Sequence, residues 1–121
     1  MEQPKPLDAK QWAMFCHLSA MTGVIIPFGN LIAPVVLWSL KKDEDAFINE
    51  QGKEVVNFQI FISICGIGLY LVATMMPFVF NGMALPTAGI TGVVIFIFAL
   101  VGGLKAKEGV SFKYPTPFKF L

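Results

Sequence analysis

From residue 55 to residue 104 the chain carries no charged side chain, and a second stretch, residues 11–40, carries only His17. A charge at mid-bilayer costs several kcal/mol, whereas each apolar residue favours insertion, so this pattern selects an integral membrane protein. All 9 lysines and all 8 acidic residues lie within residues 1–10, within 41–54, or after 104. A length of 121 residues leaves room for one domain. Charged residues make up 14% of the chain, against roughly a quarter in soluble domains.

Several function classes fall away. A net charge of +1 and the lack of any Arg argue against a nucleic-acid partner. Cys16 and Cys65 sit in apolar runs, where a thiol behaves as a small hydrophobe, and two cysteines make no disulfide framework. The adjacent Cys16 and His17 lack metal-ligand spacing, so no metal site is expected. No nucleophile–base pair, glycine-rich phosphate loop or paired intramembrane carboxylate is visible, so neither an enzyme nor a cofactor is expected. Lys5 and Lys10 before an apolar run imitate a signal peptide. That run continues through Pro27-Phe28-Gly29-Asn30 into a second apolar segment without a small-x-small cleavage pattern, so retention is expected.

The punctuation predicts an all-α fold of four helical segments, over about 11–26, 31–42, 46–80 and 87–107, forming a membrane domain over 11–107. Pro27 and Gly29 close the first, Pro34 falls in the first turn of the second, and Asp45 caps the third. The turn-rich residues 81–86 precede the fourth. At 1.5 Å per residue the first two reach roughly 24 and 18 Å, against a hydrocarbon core of about 30 Å. They read as a short, broken hairpin that enters and returns, with or without a full crossing, followed by one long and one shorter transmembrane helix. Pro27, Phe28, Gly29 and Asn30 form its tip, with Asn30 as cap of the second segment.

With a hairpin, every lysine falls on one side of the bilayer, which the positive-inside rule makes cytoplasmic. Residues 1–10 then form a cytoplasmic N-terminus and both termini are cytoplasmic, while 28–30 and 81–85 approach the opposite face. Trp12, Trp38 and Tyr114 fall at the lysine-bearing boundary as an aromatic belt. Residues 108–121 alternate aromatic rings with lysines and suit the headgroup region.

Small residues at helical spacing let backbones approach where lipid removes the hydrophobic drive. Ala13, Cys16, Ala20 and Gly23 share a face of the first segment; Gly66 lies on the third, and Gly92 and Gly103 on the fourth. These faces serve packing within the bundle or against another subunit.

His17 lies on the first of those faces and should point inward, either as a neutral imidazole bonding a neighbouring helix or as a proton-sensitive group. The start of the third segment is the densest polar stretch, with Asn49, Glu50, Gln51, Lys53, Glu54, Asn57 and Gln59. It serves as a solvated helix entry or as a polar vestibule for a partner. Matching depths group His17 with Glu54, Asn57 and Gln59, and the shared small-residue face favours Gln59 as the direct partner.

Several motifs fall in order: Trp12-Ala13-Met14 with Cys16-His17-Leu18-Ser19-Ala20, then Pro27-Phe28-Gly29-Asn30 with Pro34 and Trp38. They are followed by Gln51-Gly52-Lys53-Glu54 with Asn57-Phe58-Gln59, and by Lys105 and Lys107 before Tyr114-Pro115. Together they resemble a bacterial family of small membrane proteins related to the core channel subunit of the chloroplast inner-envelope protein translocon. The resemblance implies a four-helix fold in the bacterial cytoplasmic (inner) membrane and kinship with a preprotein channel. The residues themselves favour an accessory or structural subunit, with the bilayer and other membrane proteins, or further copies of itself, as partners. The alternative is a homo-oligomeric, translocon-like or transporter-like conduit.

Overall fold

Asp8 and Asp45 set where the chain first turns helical. The Asp8 carboxylate accepts from the Gln11 backbone N–H at 2.8 Å while the Gln11 amide oxygen accepts from Asp8 N–H at 3.2 Å, a reciprocal capping box. Asp45 accepts from the N–H groups of Phe47 and Ile48 at 2.8 and 3.3 Å. The structure, a computed structural model, describes residues 8–26, 28–76, 78–79, 81–116 and 119–121. Among them are helices α1 (Ala9–Ser19), α2 (Gly29–Lys41), α3 (Ala46–Met75) and α4 (Ala84–Lys107), with a 3-10 turn over Ala20–Val24 and no strand. Most of residues 1–10, expected to be cytoplasmic, Pro27 of the hairpin tip, Pro77 and Phe80 at the expected end of the third segment, and Phe118 of the tail lie outside the described residues.

The helix boundaries differ from the sequence expectation for local reasons. The capping box starts α1 two residues early. Helix α4 begins at Ala84, because Pro86 fits a first turn whose N–H groups have no helical partner anyway. Helix α2 starts at Gly29, so Phe28 rather than Asn30 is its cap residue, with a left-handed φ of 63°. Pro34 therefore falls in the second turn, where it gives no N–H to the Asn30 carbonyl.

Glycines set how the helices pack. A Cβ on Gly103 would lie 2.7 Å from Leu18, fixing α1 against α4. One on Gly52 would lie 2.2 Å from the Trp38 ring, fixing α2 against α3, and one on Gly66 would meet Thr91 at 2.8 Å between α3 and α4. A Cβ on Gly23 would lie 2.9 Å from that of Asn30 across the hairpin, and Ala13 and Ala20 are fully buried. Gly92 departs from the expected packing set: a Cβ there meets nothing within 4 Å.

Among the described residues, α3 and α4 alone are long and apolar enough to cross a membrane. Their 30 and 24 residues extend about 45 and 36 Å, whereas the 13 residues of α2 extend about 20 Å. Asn30 Nδ2 donates to Gln59 Oε1 at 2.9 Å and to Ser63 Oγ at 3.0 Å. The hairpin tip thus stops level with the middle of α3, not near its far end as expected for 28–30. Beyond it α3 and α4 continue alone, exposing Ile64, Leu69, Leu71, Ile90 and Val93.

Candidate functional site

At its C-terminal end α4 closes on Gly109, whose φ of 80° lets the chain reverse. Gly109 N–H donates to the Ala106 carbonyl and Val110 N–H to that of Lys105, both at 2.9 Å, the paired bonds of a Schellman motif. The motif turns the chain back, and residues 112–114 and 120–121 lie against α3. Tyr114, expected at the boundary belt, is instead buried with Val55 and Phe58. Its ring stacks on Phe58 at 4.6 Å and on the His17 imidazole at 5.5 Å.

Gln51, Glu54 and Asn57 recur every third residue of α3, and all three are buried. Each presents a side-chain oxygen to a backbone donor of the tail. Phe112 N–H donates to Gln51 Oε1 at 3.2 Å, Tyr114 N–H to Glu54 Oε2 at 3.1 Å, and Phe120 and Leu121 N–H both to Asn57 Oδ1 at 2.9 Å. Lys119 Nζ adds an ion pair with Glu54 Oε1 at 2.6 Å. A strand-like tail has no sheet partner here, so helix side chains satisfy its donors.

His17 is fully buried beneath this strap, with both ring nitrogens occupied. Gln51 Oε1 already accepts from a backbone N–H, so its identity as oxygen is fixed. His17 Nε2–H therefore donates to it at 2.7 Å, and Nδ1 accepts from the Tyr114 hydroxyl at 2.7 Å. Onward, Gln51 Nε2 donates to Ser111 Oγ at 3.1 Å and Ser111 Oγ donates to the Glu50 carboxylate. Every donor in this chain points the same way, from the buried phenol to a surface carboxylate, so each bond polarises the next. Gly102 makes room for it: a Cβ there would lie 2.5 Å from His17 Nδ1 and 2.9 Å from the Tyr114 hydroxyl.

His17 lies on α1, outside the two long apolar helices, level with Gln51 and the tail. Burial pushes its imidazole down to about 4, opposed only in part by the bond to Gln51 and by the Glu54 charge. Burial, and then Glu54, raise the Tyr114 phenol above its ordinary value. Both groups are thus neutral near pH 7, and the arrangement joins elements instead of offering a free base.

The four residues grouped from sequence are all buried, but they do not form one cluster. Gln59, favoured as the partner of His17, turns instead to Asn30 at the hairpin tip; Gln51 takes its place. Glu54 and Asn57 serve the tail. Gln59 Nε2 and Thr116 Oγ1 are buried without a partner among the described residues. Sequence reasoning missed Gln51, Ser111 and Tyr114 as members of this site. The three-residue spacing of Gln51, Glu54 and Asn57 was an available signal for the first.

The family described as the magnetosome magnetite crystal formation protein family (MamF/MmsF) matches residues 8–121. That match overturns the expected kinship with the chloroplast translocon channel subunit. No curated protein and no solved structure matches the chain.

Proposed function

The chain belongs to the magnetosome magnetite crystal formation protein family, and from that membership we propose that it is a small integral membrane subunit assisting crystal formation through neighbouring membrane proteins. One observation carries this reading. Apolar side chains stay exposed along α3 and α4, among them Ile64, Leu69, Leu71, Ile90, Ile97 and Leu104, while the charged side chains among the described residues gather at one end. In water such a surface would be a large aggregation liability; in a bilayer it is an ordinary lipid-facing one.

The positive-inside rule places the charged end, with both termini, in the cytoplasm. The opposite end, between α3 and α4, then carries neither carboxylate nor lysine. Binding of iron or of a mineral face by carboxylates would need acidic groups, so this end is ill suited to templating. Gln51, Glu54 and Asn57 of the α3 entry are bonded to the tail that straps over them, which also disfavours a polar conduit. An accessory role remains, with exposed helix faces meeting lipid or another membrane protein.

Alkaline extraction of magnetosome membranes followed by lysine crosslinking tests this. The chain should resist extraction and crosslink to other membrane proteins through Lys41, Lys42, Lys107 or Lys113. Release by alkali would overturn the membrane reading, and crosslinks confined to further copies of the chain would overturn the accessory role.

A further inference from the structure

We propose that the chain is a membrane wedge, preferring and promoting bilayers whose charged-end leaflet is convex. The inference rests on the reading of α3 and α4 as membrane spans. From Val55 to the end of α3 at Met75 the helix rises about 30 Å, the thickness of a hydrocarbon core. Asn30 bonds Gln59 and Ser63, which lie about 6 and 12 Å past Val55 along that axis. The α1–α2 hairpin therefore turns back within the near leaflet, whose own depth is about 15 Å.

The composition of the tip fits that depth. Ile25 is 86% exposed and Ile26 and Phe28 more than half exposed, with no charge in the turn. At an aqueous face these residues would be misplaced; in hydrocarbon they need no partner. The wide end is held at the opposite level. Lys41 Nζ lies 5.6 Å from the Trp12 ring centre and Lys42 Nζ 4.7 Å from that of Trp38, pairs suited to the headgroup boundary. Sliding the hairpin deeper would drag these ammonium groups into the core.

The near leaflet thus accommodates four helices and the far leaflet two. With each helix about 10–12 Å across, the cross-section roughly halves from one leaflet to the other. Above the tip, between Phe28, Ser63, Tyr70 and Thr91, a cavity of about 310 Å³ opens where the hairpin has ended. It is lined mainly by apolar groups and takes up acyl chains. A flat bilayer must compress the near leaflet or stretch the far one around such a body, and bending toward the charged side relieves both. The partner is accordingly a lipid surface of defined curvature, not a particular lipid.

Membrane tubes drawn outward from giant vesicles of phosphatidylcholine and phosphatidylglycerol test this with the full chain. A dye on Lys107→Cys, in a Cys16→Ala and Cys65→Ala background, marks the charged end, and an impermeant quencher separates the two orientations. Molecules with the charged end outside should be severalfold enriched in the tube over the flat membrane, and those with it inside depleted. Equal density in tube and vesicle for both orientations would overturn the wedge while leaving the membrane reading intact, as would the opposite sorting. Protein removed from the vesicles by alkaline washing would overturn both.

Discussion

The Tyr114 hydroxyl donates to His17 Nδ1 at 2.7 Å, joining two residues 97 positions apart in a contact that ties the C-terminal tail to α1. Neither group reaches water, so removing one leaves the other buried and unpaired. Tyr114→Phe keeps the stack on Phe58 and His17 but deletes the donor, and should cost about 1–3 kcal/mol of stability. Thermal unfolding in detergent measures it. Tyr70→Phe, at a half-exposed ring on α3, should leave the midpoint unchanged.

Acid should loosen the same junction. His17 is depressed by burial to about 4 in the folded chain, against about 6.5 when unfolded. The unfolded chain therefore binds the extra proton first as pH falls. Stability is fully present above about 6.5 and is lost progressively down to about 4, by about 3 kcal/mol at the limit. His17→Gln should flatten this part of the pH dependence, read as midpoint against pH. An unchanged slope in the variant would assign the acid sensitivity elsewhere.

Two glycines that look alike in sequence should respond oppositely to alanine. At Gly102 a Cβ would lie 2.5 Å from the His17 ring, in a filled site whose groups are already bonded. Gly102→Ala should cost about 1–3 kcal/mol through overpacking. Gly92 has open space around its Cβ position, so Gly92→Ala should be neutral or raise helix stability by up to about 1 kcal/mol. Midpoints shifting equally in the two variants would contradict these placements.

Charge placement made the two long helices legible in the sequence, because exclusion of charge from hydrocarbon acts on every residue of a span. Asp45 was legible as a cap for an equally local reason, two first-turn N–H groups within reach of one carboxylate. Of the candidate site, His17, Glu54 and Asn57 were legible as members, but Gln51, Ser111 and Tyr114 and the pairing were not. Helical spacing gives a residue's face but not which of two glutamines, Gln51 or Gln59, a separate helix will meet. The choice depends on where the hairpin tip stops, which Asn30 settles by occupying Gln59. The tail's path along α3 was not legible because its aromatic–lysine alternation suits a headgroup layer as well as a helix face. What distinguishes the two is the reversal at Gly109, which aligns backbone donors with Gln51, Glu54 and Asn57.

Three cysteine substitutions test how far the hairpin enters the membrane. Lys42 lies just past the end of α2 at the charged end, Met83 in the turn before α4, and Ile25 is the most exposed residue beside the tip. In a Cys16→Ala and Cys65→Ala background, an impermeant maleimide should reach Lys42→Cys only from the cytoplasmic side and Met83→Cys only from the other. Ile25→Cys should react from neither, because its level along α3 places it near mid-bilayer, where thiolate formation and aqueous reagent are both excluded. Labelling of Ile25→Cys from the side that reaches Met83→Cys would mean that the hairpin crosses, and the half-depth geometry would fail. Labelling of Lys42→Cys and Met83→Cys from a common side would exclude α3 as a span.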